Sequence, residues 1–291
     1  MDKPVITQAM IEAYDEYTHL TLDRRRFMER LTALAGSAAA AAAIAPLLAA
    51  NSARAEVIAA SDERIKGEDI AYPGADGEMK GYLVRPANAS GKLSAVIVIH
   101  ENRGLNPHIR DVARRVAIEG FVALAPDFLS PDGGTPSDDD KAREMISALD
   151  AEETNANAVA TVAFLKGHEE STGNIGAIGF CWGGGLVNRL AVNSPDLTAG
   201  VAYYGSQPKP EDVPKIQAAM LLHYAGLDER INAGIETYKQ ALGKAGKDFT
   251  IHVYEGVNHA FNNDTSAARY DKAAADLAWE RTVAFLREKL A

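Results

Sequence analysis

The sequence predicts an α/β domain, with a mainly parallel central sheet and helices on both faces. Three observations point there. The run Ala95-Val96-Ile97-Val98-Ile99-His100 is apolar almost throughout, the pattern of a strand buried on both sides rather than one. Runs of this kind alternate with stretches of helical spacing as far as residue 291, and such alternation builds a parallel sheet. The glycine-rich segment Gly179-Phe180-Cys181-Trp182-Gly183-Gly184 ends one predicted strand and opens the next predicted helix.

Taken in order, residues 65–72 and 79–85 are short candidate strands around the turn-forming cluster Pro73-Gly74-Ala75-Asp76-Gly77, which suggests a hairpin at a sheet edge. The buried strand at 95–100 follows. Ile109, Val112, Val116 and Ala117 recur at helical spacing, and Gly120 closes that helix before a strand at 121–125. A loop rich in Asp, Gly and Pro over 126–140 leads to one long helix over about 141–166 and a strand at 174–178. Further strands are expected at 199–203, 220–224 and 249–254, with a final helix over about 267–290. No repeat or linker divides residues 56–291, so they are read as one domain.

Apolar residues make up 47% and charged residues 24% of the 291-residue chain, the balance of an ordinary globular enzyme. A formal net charge of −10 without a basic stripe gives no means of neutralising phosphates, so nucleic acid is not an expected partner. Cys181 is the single cysteine, which excludes an internal disulfide and a zinc cluster built on thiolates. No His-Glu-x-x-His or comparable ligand set suggests a metal, and no cofactor is expected. A solitary thiol is often just a small buried apolar residue, so its neighbours must decide its role.

Residues 1–55 read as an export signal. Asp23-Arg24-Arg25-Arg26-Phe27-Met28 precedes an Ala-rich run over 31–50 and then Ala53-Arg54-Ala55, the order of basic region, apolar region and small-residue cleavage site. This resembles a twin-arginine signal, with the twin-arginine export machinery as partner, removal after Ala55, and a periplasmic or otherwise exported domain without stable membrane association. The run is interrupted by Gly36, Ser37 and Pro46 and is weak as a permanent anchor. An uncleaved tether or helical arm is the alternative.

The segment around Cys181 has the strand-to-helix context of a nucleophile elbow, G-x-S-x-G with Cys in place of Ser. Gly179 and Gly183 would let strand and helix approach without clash, and the helix N-terminus would favour a thiolate. Such an elbow calls for an acid after a later strand and a histidine after the last one. Asp228, beyond Met220-Leu221-Leu222-His223-Tyr224, and His259, in Gly256-Val257-Asn258-His259-Ala260-Phe261, fill both places. His259 would accept the thiol proton while Asp228 fixes its tautomer. Singly, Asp228 could be a helix N-cap and His259 a loop residue. Glu229 is the rival acid, and His100, His223 and His252 read as sheet residues.

At these residues the chain resembles the dienelactone hydrolase family, over nearly all of residues 56–291. The resemblance implies the α/β-hydrolase fold, a cysteine nucleophile and a catalytic triad of Cys181, His259 and Asp228. It further implies that Glu101, in His100-Glu101-Asn102-Arg103-Gly104-Leu105-Asn106, contacts the resting thiol and helps remove its proton when substrate binds. The oxyanion hole would use the backbone N–H groups of Trp182 and Asn102. Family members hold a substrate carboxylate with arginines, one of them a few residues after the triad histidine. This chain has Asn262, Asn263 and Asp264 there, and Arg103, Arg143 or Arg269 would have to substitute; loss of the clamp would change substrate choice.

The resulting expectation is a hydrolase that cleaves a small-molecule lactone or activated ester through an acyl-thioester on Cys181. Two other readings stay open. One is a general carboxylesterase or thioesterase, which differs in pocket shape. The other is a non-catalytic binding protein with a packed or redox-sensing thiol.

Overall fold

A computed structural model describes residues 5–19, 21–49 and 56–291; the small-residue motif at 53–55 lies outside the described residues. Eight strands form one sheet in the order β1-β2-β4-β3-β5-β6-β7-β8. They are β1 (Ile65–Pro73), β2 (Glu78–Pro86), β3 (Leu93–Ile99), β4 (Val122–Asp127), β5 (Ser171–Phe180), β6 (Leu197–Tyr203), β7 (Ala219–Ala225) and β8 (Phe249–Tyr254). β2 pairs antiparallel with both β1 and β4, and every later pairing is parallel. The expected edge hairpin is therefore β1-β2, and the expected α/β class holds.

Strand β3 shows why the sheet is central. Val96 and Val98 enter the core on one face, and Ala95, Ile97 and Ile99 enter the core on the other. The period of two thus delivers apolar groups to both helical layers, and each large one stabilises the fold by roughly 1.5–3 kcal/mol through burial. One face is covered by α4 (Pro107–Ile118) and α10 (Lys272–Lys289), the other by α6 (Ala151–Gly167) and α7 (Trp182–Asn193). The short α8 (Glu229–Asn232) and α9 (Ile235–Lys244) follow β7.

Two boundaries differ from the sequence pattern. The helix expected over about 141–166 is two, α5 (Asp139–Ala148) and α6. Asp150 breaks it: in extended backbone, its carboxylate accepts from the N–H groups of Glu152 and Glu153 at 2.8 and 2.9 Å. A capping carboxylate thereby starts a new helix where apolar spacing alone runs on. The last helix begins at Lys272, because Asp271 caps it by accepting from Ala274 N–H at 2.9 Å.

The N-terminal segment is helical as well: α1 (Gln8–Thr18), α2 (Arg24–Ala35) and α3 (Ala38–Leu48). Met10, Tyr14, Tyr17, Phe27, Leu31 and Leu48 bury one another in a third apolar cluster. Among the described residues no single helix is long and apolar enough to cross a membrane, although α2 and α3 pass that test together with a bend of 112° between them.

Candidate active site

The chain runs from β3 leftward to β4 and then back across to β5, so the strand order reverses between β3 and β5. A crevice opens beyond the carboxyl ends of strands at such a point. Glu101 and Asn102 leave β3 there, and Cys181 leaves β5. Cys181 has φ 55° and ψ −113°, a conformation that side chains with a Cβ rarely adopt. Its N–H is held by Tyr203 O at 3.0 Å, and its C=O receives Gly185 N–H at 3.1 Å. The flanking glycines are sterically required: a Cβ on Gly183 would lie 2.5 Å from His100 O, and one on Gly179 would overlap the Gly183 carbonyl. Tyr204 and Ala260 are the other described non-glycine residues at positive φ, and both adjoin this crevice. Backbone strain is therefore concentrated at the site.

Asp228 lies just beyond β7 and His259 just beyond β8. The two loops are tied by Gly226 N–H to Tyr254 O, 2.7 Å, and Leu227 N–H to Val257 O, 3.0 Å. The Nδ1–H of His259 then donates to Asp228 Oδ2 at 2.5 Å. Oδ1 of the same carboxylate accepts from Ile231 N–H at 3.2 Å, so Asp228 both caps α8 and orients His259. With Nδ1 engaged, Nε2 is the nitrogen left for the thiol; it is buried without a hydrogen-bond partner among the described residues. Ring nitrogens of His19 and His259 and the Cys181 Sγ all lie within 4.8 Å of one another. The other two candidate elements also border the site: Trp182 begins α7, so its N–H is one of the helix's unsatisfied donors, and Asn102 lines the same cavity as Cys181.

Electrostatics favour an ion pair. Burial pushes the Cys181 thiol up, but the imidazoles of His259 and His19 more than offset it and bring it to about 6. Burial pulls His259 down, while Cys181, Asp15 and Asp228 raise it well above the ordinary imidazole range. Burial likewise acts against Asp228, whose carboxyl is held low by His259 and Arg230. A thiolate opposite an imidazolium is the state these groups stabilise together.

Glu101 stands beside this cluster, yet the hydrogen bond to Sγ comes from His19 Nε2, at 3.3 Å. Glu101 Oε2 instead accepts from Asn263 Nδ2 at 2.8 Å, and Oε1 is buried without a partner among the described residues. Asn263 occupies the stretch where the resemblance implied an arginine, and it holds the Glu101 carboxylate to itself. His100 and His223 are core residues: His100 bonds Glu101 O at 2.6 Å and receives Phe128 N–H at 3.2 Å, and His223 sits between Tyr254 and Thr282.

The crevice encloses about 220 Å³ between Cys181, His259, Tyr204, Ile146, Arg143 and Arg230. Arg143 lies with its guanidinium 4.1 Å from the Tyr17 ring centre and 3.1 Å from Asp140. Arg103 and Arg269 line a smaller adjoining space with Glu101, Cys181 and His259, and are bound to Tyr14 and Asp15 of α1. Arg143 is thus the sequence candidate that reaches the cavity. Arg230 was not indicated by any spacing signal; it is there because Asp228 starts a helix whose second residue turns back over the crevice.

The family model described as the dienelactone hydrolase family matches residues 79–290. A relative from Escherichia coli O157:H7 that carries the name carboxymethylenebutenolidase is 31% identical over 247 residues, covering 80% of this chain and 90% of its own length. One of the same name from Saccharolobus solfataricus is 34% identical over 256 residues, covering 76% and 98%. A Klebsiella pneumoniae structure solved under the name dienelactone hydrolase superposes with a TM-score of 0.71 at 31% identity, over 77% of this chain and 98% of that one. Brefeldin A esterase shares the fold at 14% identity with a TM-score of 0.66, in a match spanning 98% of this chain and 94% of its own.

Proposed function

The chain belongs to the dienelactone hydrolase family of hydrolases, and we propose that it cleaves a lactone or other activated carboxylic ester through an acyl-thioester on Cys181. The observation that carries the reading is the strained elbow placing Sγ opposite His259, whose far nitrogen is fixed by Asp228 at 2.5 Å. The thiolate attacks the carbonyl carbon, and the oxyanion that forms is received by the N–H groups of Trp182 and Asn102. His259 gives its proton to the leaving oxygen as the C–O bond breaks. It then takes a proton from water, whose oxygen attacks the thioester and releases the acid and the thiolate.

A thiolate is a good nucleophile and also a good leaving group, so lactones, enol esters and thioesters suit this site better than amides. Arg143 and Arg230 at the wall of the cavity favour an acyl group that carries negative charge. Export by the twin-arginine machinery is part of the same proposal, supported by Arg24-Arg25 ahead of the Ala-rich run.

The test is mass spectrometry of the protein mixed with lactones and aryl esters and quenched in acid, beside the Cys181→Ala variant. An acyl adduct on Cys181, absent from the variant, is the expected result. Hydrolysis undiminished in the variant would overturn the mechanism. Ligand binding without turnover or adduct would point to the binding-protein reading.

A further inference from the structure

A second imidazole reaches the thiol from the N-terminal segment. His19 follows directly on α1. Its Nδ1 lies 2.8 Å from Asp15 O and 3.4 Å from Asp15 Oδ2, one helical turn back, and its Nε2 lies 3.3 Å from Sγ. Carboxylate, imidazole and thiol thus stand in the same order as Asp228, His259 and Cys181. The two histidine rings meet edge to face, 4.8 Å apart at 89°.

Contacts independent of His19 seat the helix. Arg103 donates to Tyr14 Oη at 2.6 Å, Tyr17 Oη donates to Asp140 at 2.7 Å, and Asn102 Nδ2 donates to Thr18 O at 2.7 Å. Phe27 of α2 stacks on Tyr17 at 4.8 Å and 11°, so the next helix backs the first. Buried aromatic and charge-assisted contacts of this kind hold a side chain in one place.

Building on the Cys181 reading above, we propose that His19 is a second catalytic histidine: oriented by Asp15, its imidazolium holds Sγ as the thiolate while His259 shuttles protons, and residues 8–19 accordingly stay in the working enzyme, the uncleaved alternative to removal after Ala55. In the acylation step the His259 proton goes to the leaving oxygen. In deacylation a water proton returns to His259 and the C–S bond breaks to give the thiolate back to His19. The His19 proton stays in place throughout, so no proton need return to sulfur between turnovers.

The charged and titratable groups that share a cavity wall with this ring include Glu12, Asp15 and Glu16 of its own helix, Glu101 and Arg103 after β3, Arg143 of α5, Cys181, Asp228, Glu229 and Arg230, and His259 and Arg269 after β8. Burial pulls His19 down, and Cys181 with Asp15 brings it up to about 9. Arg230 Nη2 stands 2.9 Å from His19 Nε2, a contact that suits the neutral ring. Protonation of Nε2 removes the lone pair this contact uses, so an imidazolium at His19 requires the exposed Arg230 to leave Nε2.

The experiment compares the full chain with His19→Gln, Asp15→Asn and His19→Lys. It follows thiolate absorbance at 240 nm against pH, kcat/KM for an aryl ester against pH, and thermal melting. Glutamine keeps a hydrogen bond to sulfur but carries no charge, so the thiol midpoint should rise by about one to two pH units, with a roughly 10–100-fold loss of kcat/KM below pH 7. Asp15→Asn should move both the same way by less, and His19→Lys, which restores a positive charge, should return the midpoint toward the wild-type value. An unmoved midpoint in a normally melting His19→Gln protein overturns the proposal, as does a gain in activity, which would make α1 a plug. Should His19→Gln fail to fold, Asp15→Asn decides, because it leaves the apolar contacts of α1 intact. The titration needs no substrate and so decides the role of His19 even where the hydrolase reading fails. Intact mass of the active protein from its producing cells should retain residues 8–19; full activity in a chain starting at Glu56 overturns that part.

Discussion

The thiol of Cys181 should titrate far below an ordinary cysteine, and the size of the effect follows from its surroundings. A free thiol, at about 8.5, is about 3% ionised at pH 7, whereas one brought to about 6 is about 90% ionised. Alkylation by iodoacetamide follows the thiolate, so its rate against pH should be half-maximal at about pH 6. Substituting His259→Gln removes the larger of the two opposing cations and should shift the half-point upward. Intact mass is a sufficient readout, because Cys181 is the single cysteine and every adduct reports it. A half-point near about 8.5, the value of a free thiol, in folded wild-type protein would refute the ion-pair argument.

Other consequences follow. Asp228→Asn can keep the cap on α8, since asparagine caps as well as aspartate, but it no longer stabilises the His259 imidazolium; kcat/KM should fall by about 10²- to 10⁴-fold with little change in melting temperature. Gly183→Ala places a Cβ 2.5 Å from His100 O and 2.6 Å from Ile99 O, both backbone; the fold should lose roughly 1–3 kcal/mol by urea denaturation, and a midpoint equal to wild type would show that the elbow has room. Burial pushes Asp264 up, but His108 and Arg115 bring it to about 2. Because the folded value is the lower one, its contribution is present above about pH 4 and is lost as pH falls toward 2. After allowance for solvent screening it is worth about 1–2 kcal/mol. The gap in urea midpoint between wild type and Asp264→Asn should therefore close between pH 5 and pH 2, and a constant gap would contradict the assignment.

Much of the architecture is legible in the sequence because its signals are local. A continuous β-branched run such as 95–99 has few solutions other than a buried strand, and the glycines at 179 and 183 announce a tight strand-to-helix turn around Cys181. The positions of Asp228 and His259 are legible for a topological reason: an elbow fixes which later strands end at the same edge. The helix break at Asp150 lies in one side chain's choice between capping and continuing, which apolar spacing does not register. His19 and Arg230 are illegible for a different reason. His19 reaches the thiol by long-range packing from a stretch whose basic and Ala-rich features direct attention to targeting, and Arg230 enters the cavity only because of how the short α8 turns. The bond between Asn263 and Glu101 likewise joins residues 162 positions apart, and neither residue signals the other.

The groups around Sγ come from residues 19, 101, 181, 228 and 259, so the constellation draws on nearly the whole length of the chain. During synthesis the thiol emerges long before His259 and Asp228, and for that interval it is an ordinary, largely protonated cysteine. Its reactivity is therefore acquired late, as a product of complete folding. A nascent or partly unfolded molecule is correspondingly a poor target for electrophiles and peroxides, and the rate at which Cys181 becomes alkylable at pH 6 during refolding reports the final docking steps rather than collapse.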